Sequence, residues 1–158
     1  MTRSTSAKRF SLDANVLVYA ADRSAPDKHR RAKLIVLAAP QLDCRLTIQA
    51  LGEFYFLTTR KRIVSRSDAA AQVNDWLNLF QTAAASAPAL RAALPHASDR
   101  RLSFWDAMLL ATANEAGCEL VLSEDMHDGM RFGNLTVRNP FAGQELADDI
   151  REMIGVGG

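Results

Sequence analysis

Four acids interrupt apolar stretches of this chain: Asp13 in FSLDANVLVYAAD, Glu53 in QALGEFYFLTTR, Asp106 in LSFWDAMLLATANEAG, and Asp125 just after ELVLSE. A carboxylate inside an apolar run is costly unless something there needs its charge. Several carboxylates gathered in one place repel, which raises their pKa values and costs stability. A divalent cation removes that penalty. Oxygen ligands with no Cys or His pair beside them suit Mg²⁺ or Mn²⁺ better than Zn²⁺. One or two such ions can bind a phosphodiester, generate hydroxide and stabilise the leaving oxygen. Asn15, two residues after Asp13, is placed to hold that carboxylate by a side-chain hydrogen bond. Ser123 is placed to do the same for Asp125, or to hold a metal-bound water. Taken singly, each acid also has a plain structural role. Asp13 suits a helix N-cap, Glu53 a surface position on an amphipathic helix, Asp106 a dipole-favoured first turn, and Asp125 and Asp128 a turn in SEDMHDG.

The elements that must position these acids follow from the apolar pattern. RFSL is a short buried strand that ends at Asp13, and ANVLVYAA opens a helix. HRRAKLIVLAA has helical spacing and stops at Pro40. CRLTI is a second buried strand, followed by a helix through QALGEFYFLTTRKR that carries Glu53 about one turn in. Ser67 and Asp68 are candidate caps for the helix AAAQVNDWLNLFQTAA, Pro88 opens a short helix through Leu94, and Ser103 caps FWDAMLLATANEAG, which Gly117 ends. ELVLS and LTVRNP are further strands, and a last helix is expected over 145–154. Strands that are continuous apolar runs, alternating with helices, indicate an α/β domain with a mainly parallel central sheet covered by helices on both faces. In such a sheet, sites form outside the carboxyl ends of the strands. Asp13 and the Ser123–Asp125 segment stand at two of those ends, so all four acids can share one rim.

The run LDAN, then GEF, then SFWDAMLLATA, then LVLSEDMHDG resembles the PIN-domain nucleases, and most of all the VapC-type toxins of bacterial type II toxin–antitoxin systems. The likeness spans about Phe10 to Asn139. It implies a PIN-like three-layer domain and Mg²⁺- or Mn²⁺-dependent endonucleolytic cleavage of RNA. It also implies catalytic acids at Asp13, Glu53, Asp106 and Asp125, with Asn15 and Ser123 in support and the metal on Asp13, Asp106 and Asp125. Its partners would be the RNA substrate and a cognate antitoxin, with a homodimer expected. Ser123 stands where the family more often has Thr, which keeps the hydroxyl. Glu124 and Asp128 leave open which residue completes the site. Two other readings remain: a phosphatase using Asp13 as nucleophile, and a non-catalytic α/β metal-binding signalling module. The first is weakened because Asn15 stands where such an enzyme carries its second Asp.

At 158 residues, 48% of them hydrophobic, the chain suits one domain with a sizeable core. We expect a flexible lead-in over 1–9, one domain over 10–154 and a disordered tail over 155–158. No apolar run reaches the roughly 20 residues of a membrane span. Cys44 and Cys118 lie in apolar contexts without CxxC spacing, which suits free thiols in the cytoplasm. The net charge of +1 conceals 13 basic against 5 acidic residues in 1–66, and 6 against 13 in 67–158. That split fits an anionic partner for one part of the surface, or uneven scatter. Arg60, Lys61 and Arg62, with Arg66 nearby, follow the Glu53 helix and either contact RNA phosphates or form a solvated helix end. KHRRAK at 28–33 is expected to be a solvated face. Trp76, Phe80 and Trp105 are expected in a core or interface, because stacking on bases needs exposed rings.

Overall fold

The computed structural model of the chain describes residues 8–156. Phe10, Ser11 and Leu12 of strand β1 (Phe10–Leu12) are all fully buried. Successive strand residues point to opposite faces, so β1 is covered on both. It pairs in parallel with β4 (Leu120–Leu122), and β4 pairs in parallel with β6 (Leu135–Arg138). The short β5 (Arg131–Phe132) closes that edge against β6, antiparallel. On the other side, β2 (Arg45–Thr47) and β3 (Gln81–Ala83) form a parallel pair, joined to β1 through a bridge from Phe10 to Cys44. The expected mainly parallel α/β arrangement is therefore observed.

Among the described residues, seven helices surround these strands: α1 (Ala14–Ala21), α2 (Pro26–Ala38), α3 (Ile48–Arg60), α4 (Arg66–Leu79), α5 (Ala87–Ser98), α6 (Phe104–Glu115) and α7 (Asp148–Ile154). Helix α1 packs on α2 and α3, α3 packs on α4, and α5 lies against α6. Residues Ala107 to Ala113 of α6 are buried without interruption. A helix apolar on all sides belongs in the interior.

Side-chain oxygens fix where the helices start, each accepting an otherwise orphaned N–H. Asp13 caps α1, Thr47 caps α3 and Ser103 caps α6. Helix α4 starts earlier than expected, because Ser65 and not Ser67 or Asp68 supplies the cap, accepting from the Asp68 N–H at 3.1 Å. Helix α5 runs past Leu94 and through Pro95 to Ser98. Pro95 costs a backbone hydrogen bond there, and packing of α5 along α6 outweighs it. Gly117 follows α6 with φ 86°, the left-handed position that a glycine accepts without strain.

Positions 1–7 of the expected lead-in, and 157–158 of the expected tail, lie outside the described residues. Arg9 pairs with Asp43 at 3.1 Å and donates to the Ala116 carbonyl at 2.8 Å. Gly155 closes α7, and the Val156 N–H donates to Arg151 O. Among the described residues, no helix is long and apolar enough to cross a membrane.

Candidate active site

Strands β1 and β4 end side by side, and the backbone N–H of Asp13 donates to Leu122 O at 2.9 Å. Asp13 is 4% exposed, so it is a carboxylate taken almost wholly out of water. Both of its oxygens have partners: Oδ1 accepts from the Ala14 N–H at 2.7 Å and Oδ2 from the Ser123 hydroxyl at 2.7 Å. Burial nevertheless dominates. It pushes the Asp13 carboxyl up to about 7, the negative charges of Asp106 and Asp125 push the same way, and the two hydrogen bonds only partly offset them.

Asp106 reaches the same place from α6. It lies in the first turn, and its N–H donates to the capping Ser103 hydroxyl at 3.1 Å. Its carboxyl is also raised above the ordinary range, by burial first and then by the charge of Asp125. Asp125 is exposed, in the loop after β4. Three of the four expected acids thus act on one another electrostatically: Asp13, Asp106 and Asp125. The fourth, Glu53, is held differently. Gln49, one turn earlier on α3, donates its amide to Glu53 Oε1 and to the Trp105 carbonyl, both at 2.9 Å. One amide thereby ties Glu53 to the residue preceding Asp106.

Asn15 departs from expectation. Its amide donates to Ser123 Oγ at 3.4 Å, and its Oδ1 accepts from the Glu124 N–H at 3.3 Å. It therefore holds the loop that holds Asp13, and does not hold Asp13 itself. Ser123, fully buried, accepts from the Asp125 N–H at 3.2 Å while donating to Asp13. One hydroxyl links two of the acids.

Glu124 faces away from that cluster. Tyr19 donates to its Oε1 at 2.7 Å and Lys28 Nζ meets its Oε2 at 2.6 Å, with the ammonium 5.0 Å from the Tyr19 ring centre. Asp128 pairs with Arg138 at 3.0 Å and accepts from the Asn139 N–H at 2.9 Å. KHRRAK is therefore not simply a solvated face. Lys28 braces the loop after β4, and Arg31 is buried, bonding to Asp27 and to the carbonyls of Pro140 and Gln144. Nothing in the local pattern marks Lys28 or Tyr19, whose partner Glu124 stands 96 and 105 residues away. The i,i+4 spacing of Gln49 and Glu53 on one helix, by contrast, was a readable signal, and only the Trp105 carbonyl was not. Arg60, Lys61 and Arg62 stand exposed at the end of α3, with the Arg60 guanidinium 5.7 Å from the Phe56 ring centre.

Oxygen-only donors, one of them a buried carboxyl whose ionised form is disfavoured without a cation, fit a hard divalent ion. Among the described residues, no three His, Cys, Asp or Glu side chains stand close enough to enclose an ion. The three-carboxylate site expected on Asp13, Asp106 and Asp125 is therefore not enclosed as these side chains stand, although Mg²⁺ needs only one or two carboxylates, with water and substrate phosphate oxygens completing its shell.

An open α/β fold with this carboxylate-lined strand rim is an architecture of the PIN-domain class. The chain belongs to that family: the PIN domain model matches residues 11–127. No curated protein sequence matches it. Its fold is similar to that of VapBC from Salmonella typhimurium bound to DNA, with TM-score 0.59, 12% identity, and 84% of this chain and 98% of that one covered. It is also similar to Mycobacterium tuberculosis VapC20, a toxin that cleaves the sarcin–ricin loop, with TM-score 0.57, 18% identity, and 76% and 90% covered. VapBC2 from Rickettsia felis, bound to a promoter DNA fragment, gives TM-score 0.56 at 14% identity, with 82% and 97% covered.

Proposed function

We propose that this chain is a Mg²⁺- or Mn²⁺-dependent endoribonuclease and the toxic member of a type II toxin–antitoxin pair, acting in the cytoplasm. The observation that carries the reading is Asp13: a buried carboxyl pushed up to about 7, facing the charges of Asp106 and Asp125. Carboxyls shifted by burial and by one another cluster at functional sites. Membership of the PIN domain family and the likeness of fold to toxin structures support it.

Asp13, Asp106 and Asp125 would hold the ion, one or two of them directly and the rest through bound water, and Glu53 would complete the acidic rim. The ion, when bound, supplies positive charge for a phosphate and lowers the pKa of water. The chain's own groups do the rest. Ser123 fixes the orientation of Asp13 and the start of the Asp125 loop. Asn15 fixes Ser123 and Glu124. Arg60, Lys61 and Arg62 offer phosphate contacts that set the strand's path without reading its sequence. An antitoxin from the same operon would neutralise the activity, and a second copy of the chain would complete a homodimer.

The engagement of both Asp13 oxygens weighs against a phosphatase that uses this carboxylate as nucleophile. The deciding experiment incubates purified protein with total RNA in Mn²⁺, in EDTA, and in Mn²⁺ with Asp106→Asn. Cleavage is expected only in the first. Cleavage by Asp106→Asn at the wild-type rate, or persisting in EDTA, would overturn the assignment. In a bacterial host, the wild-type chain expressed alone should arrest growth and Asp106→Ala should not, at equal soluble expression.

A further inference from the structure

Trp105 immediately precedes Asp106 and is 61% exposed, so of the two places expected for it, core or interface, it is not in the core. Beside it Phe56 is 57% exposed. Large aromatic groups left in water together mark a surface that meets something. Here the two rings line a cavity of about 510 Å³ with Gln49, Gly52, Glu53 and Leu57. Phe104 braces Trp105 edge-on, with ring centres 4.9 Å apart. The Gln49 amide pins the Trp105 backbone at 2.9 Å, which fixes where the indole emerges. Gly52 on the cavity wall has nothing within 4 Å of where a Cβ would stand, so this wall is open.

We propose that Trp105 and Phe56 form a stacking platform for an unpaired base of the RNA strand, next to the phosphate held at the acidic site. This deepens the nuclease reading and rests on it. Three features favour a base over an apolar protein side chain as the occupant. The cavity borders the acidic rim, since Glu53 lines it and Trp105, also in its lining, immediately precedes Asp106 in the chain. Its aromatic rim carries a cation, Arg60 over Phe56, suited to the backbone phosphate of a stacked nucleotide. Its polar wall is an amide–carboxylate pair, Gln49 and Glu53, whose amide hydrogens are committed to Glu53 and to the Trp105 carbonyl, so it offers acceptor oxygens to an amino group on a base edge. Stacking on an exposed ring is sequence-tolerant, whereas this polar wall can prefer one base. Only an unpaired base can enter, so the platform selects single-stranded or looped RNA.

The chain has two tryptophans, and the other, Trp76, is only 6% exposed. Quenching by a ligand stacked at the surface therefore reports on Trp105, with Trp76 as a constant background. Titration in EDTA with a 12-nucleotide single-stranded RNA of mixed sequence should quench it, and the same sequence as a duplex should not. Trp105→Ala should weaken binding of the single strand by roughly tenfold and raise KM in Mn²⁺ by a similar factor. Trp105→Phe should recover most of both. The salt dependence of binding should keep its slope in Trp105→Ala, because no phosphate contact is lost. Wild-type protein that binds and cleaves RNA while Trp105→Ala matches it in affinity and KM would overturn the platform and leave the nuclease reading standing. A Trp105→Ala variant with unchanged RNA binding that no longer co-purifies with a protein partner would likewise overturn it, assigning the surface to protein. Wild-type protein that neither binds nor cleaves RNA would sink the nuclease reading, and the platform with it.

Discussion

Ser123 Oγ donates to Asp13 Oδ2 at 2.7 Å, joining residues 110 apart in sequence at the carboxyl ends of two adjacent strands. The bond favours the ionised form of Asp13 and pulls against burial. Ser123→Ala should therefore drive the Asp13 carboxyl still higher. A hydrogen bond to a charged group contributes about 1.5–3 kcal/mol. Denaturant unfolding of Ser123→Ala without metal should show a loss in that range at pH 8, and a smaller one at pH 5. Equal losses at both pH values would mean that the bond does not distinguish carboxylate from acid.

The raised Asp13 carboxyl has a consequence for the metal-free protein. Its value is about 7 when folded against 3.8 as the reference. Between those values the folded chain binds more protons than the unfolded one, so stability falls as pH rises from about 4 to about 7. Below 4 the group is protonated in both states and the cost is absent. Asp13→Asn removes the charge and keeps a residue able to cap α1. Thermal unfolding in EDTA should show a flatter pH dependence for Asp13→Asn and a higher Tm than wild type at pH 7.5, by a few degrees for each 1 kcal/mol gained. A wild-type profile that rises between pH 4 and 7 to the same extent as the variant's would refute the assigned cost.

Metal should reverse that cost. Mn²⁺ binds the ionised carboxylates, so it should raise the wild-type Tm with rising concentration. The gain should shrink as pH falls and the ligands protonate. Asp106→Asn should show a much smaller shift at the same concentration, measured by scanning calorimetry. An identical shift in the variant would place the ion elsewhere.

How far the sequence disclosed all this depended on how local each signal was. The strand ending at Asp13 and the helix after Ser103 were legible because a short apolar run or a capping oxygen lies within a few residues. Strand β3 was not, since Gln81, Thr82 and Ala83 form no apolar run and pair only because β2 lies alongside. Strand β5 spans two residues, too few to show a period. In α1, Val16 and Leu17 are fully buried. In α3, Phe54 is fully buried but Tyr55 and Phe56 reach solvent. The acids were visible as interruptions, whereas the hydrogen bonds that orient them were not. Asn15 was expected to hold Asp13, but its reach is to Ser123 and Glu124, which only the meeting of β1 and β4 brings near.

Glu124 provides the last test, because it sits beside Asp125 but points away from the acids. Tyr19 and Lys28 hold one carboxylate oxygen each. The ion pair itself is partly exposed and is worth about 0–1 kcal/mol, so Lys28→Met should barely change stability. Removing the carboxylate is different. Glu124→Ala leaves the half-buried Tyr19 hydroxyl without its acceptor and frees the loop that carries Asp125. If the clamp positions Asp125 for metal, Mn²⁺ affinity should fall by about 10- to 100-fold, as it does when groups behind a metal ligand are lost. Glu124→Gln keeps an oxygen for Tyr19 and should retain most of the affinity. Calorimetric Mn²⁺ titration of the three variants separates the possibilities: if Glu124→Ala binds Mn²⁺ as wild type does while unfolding more easily, the clamp serves the stability of the loop and has no part in placing Asp125.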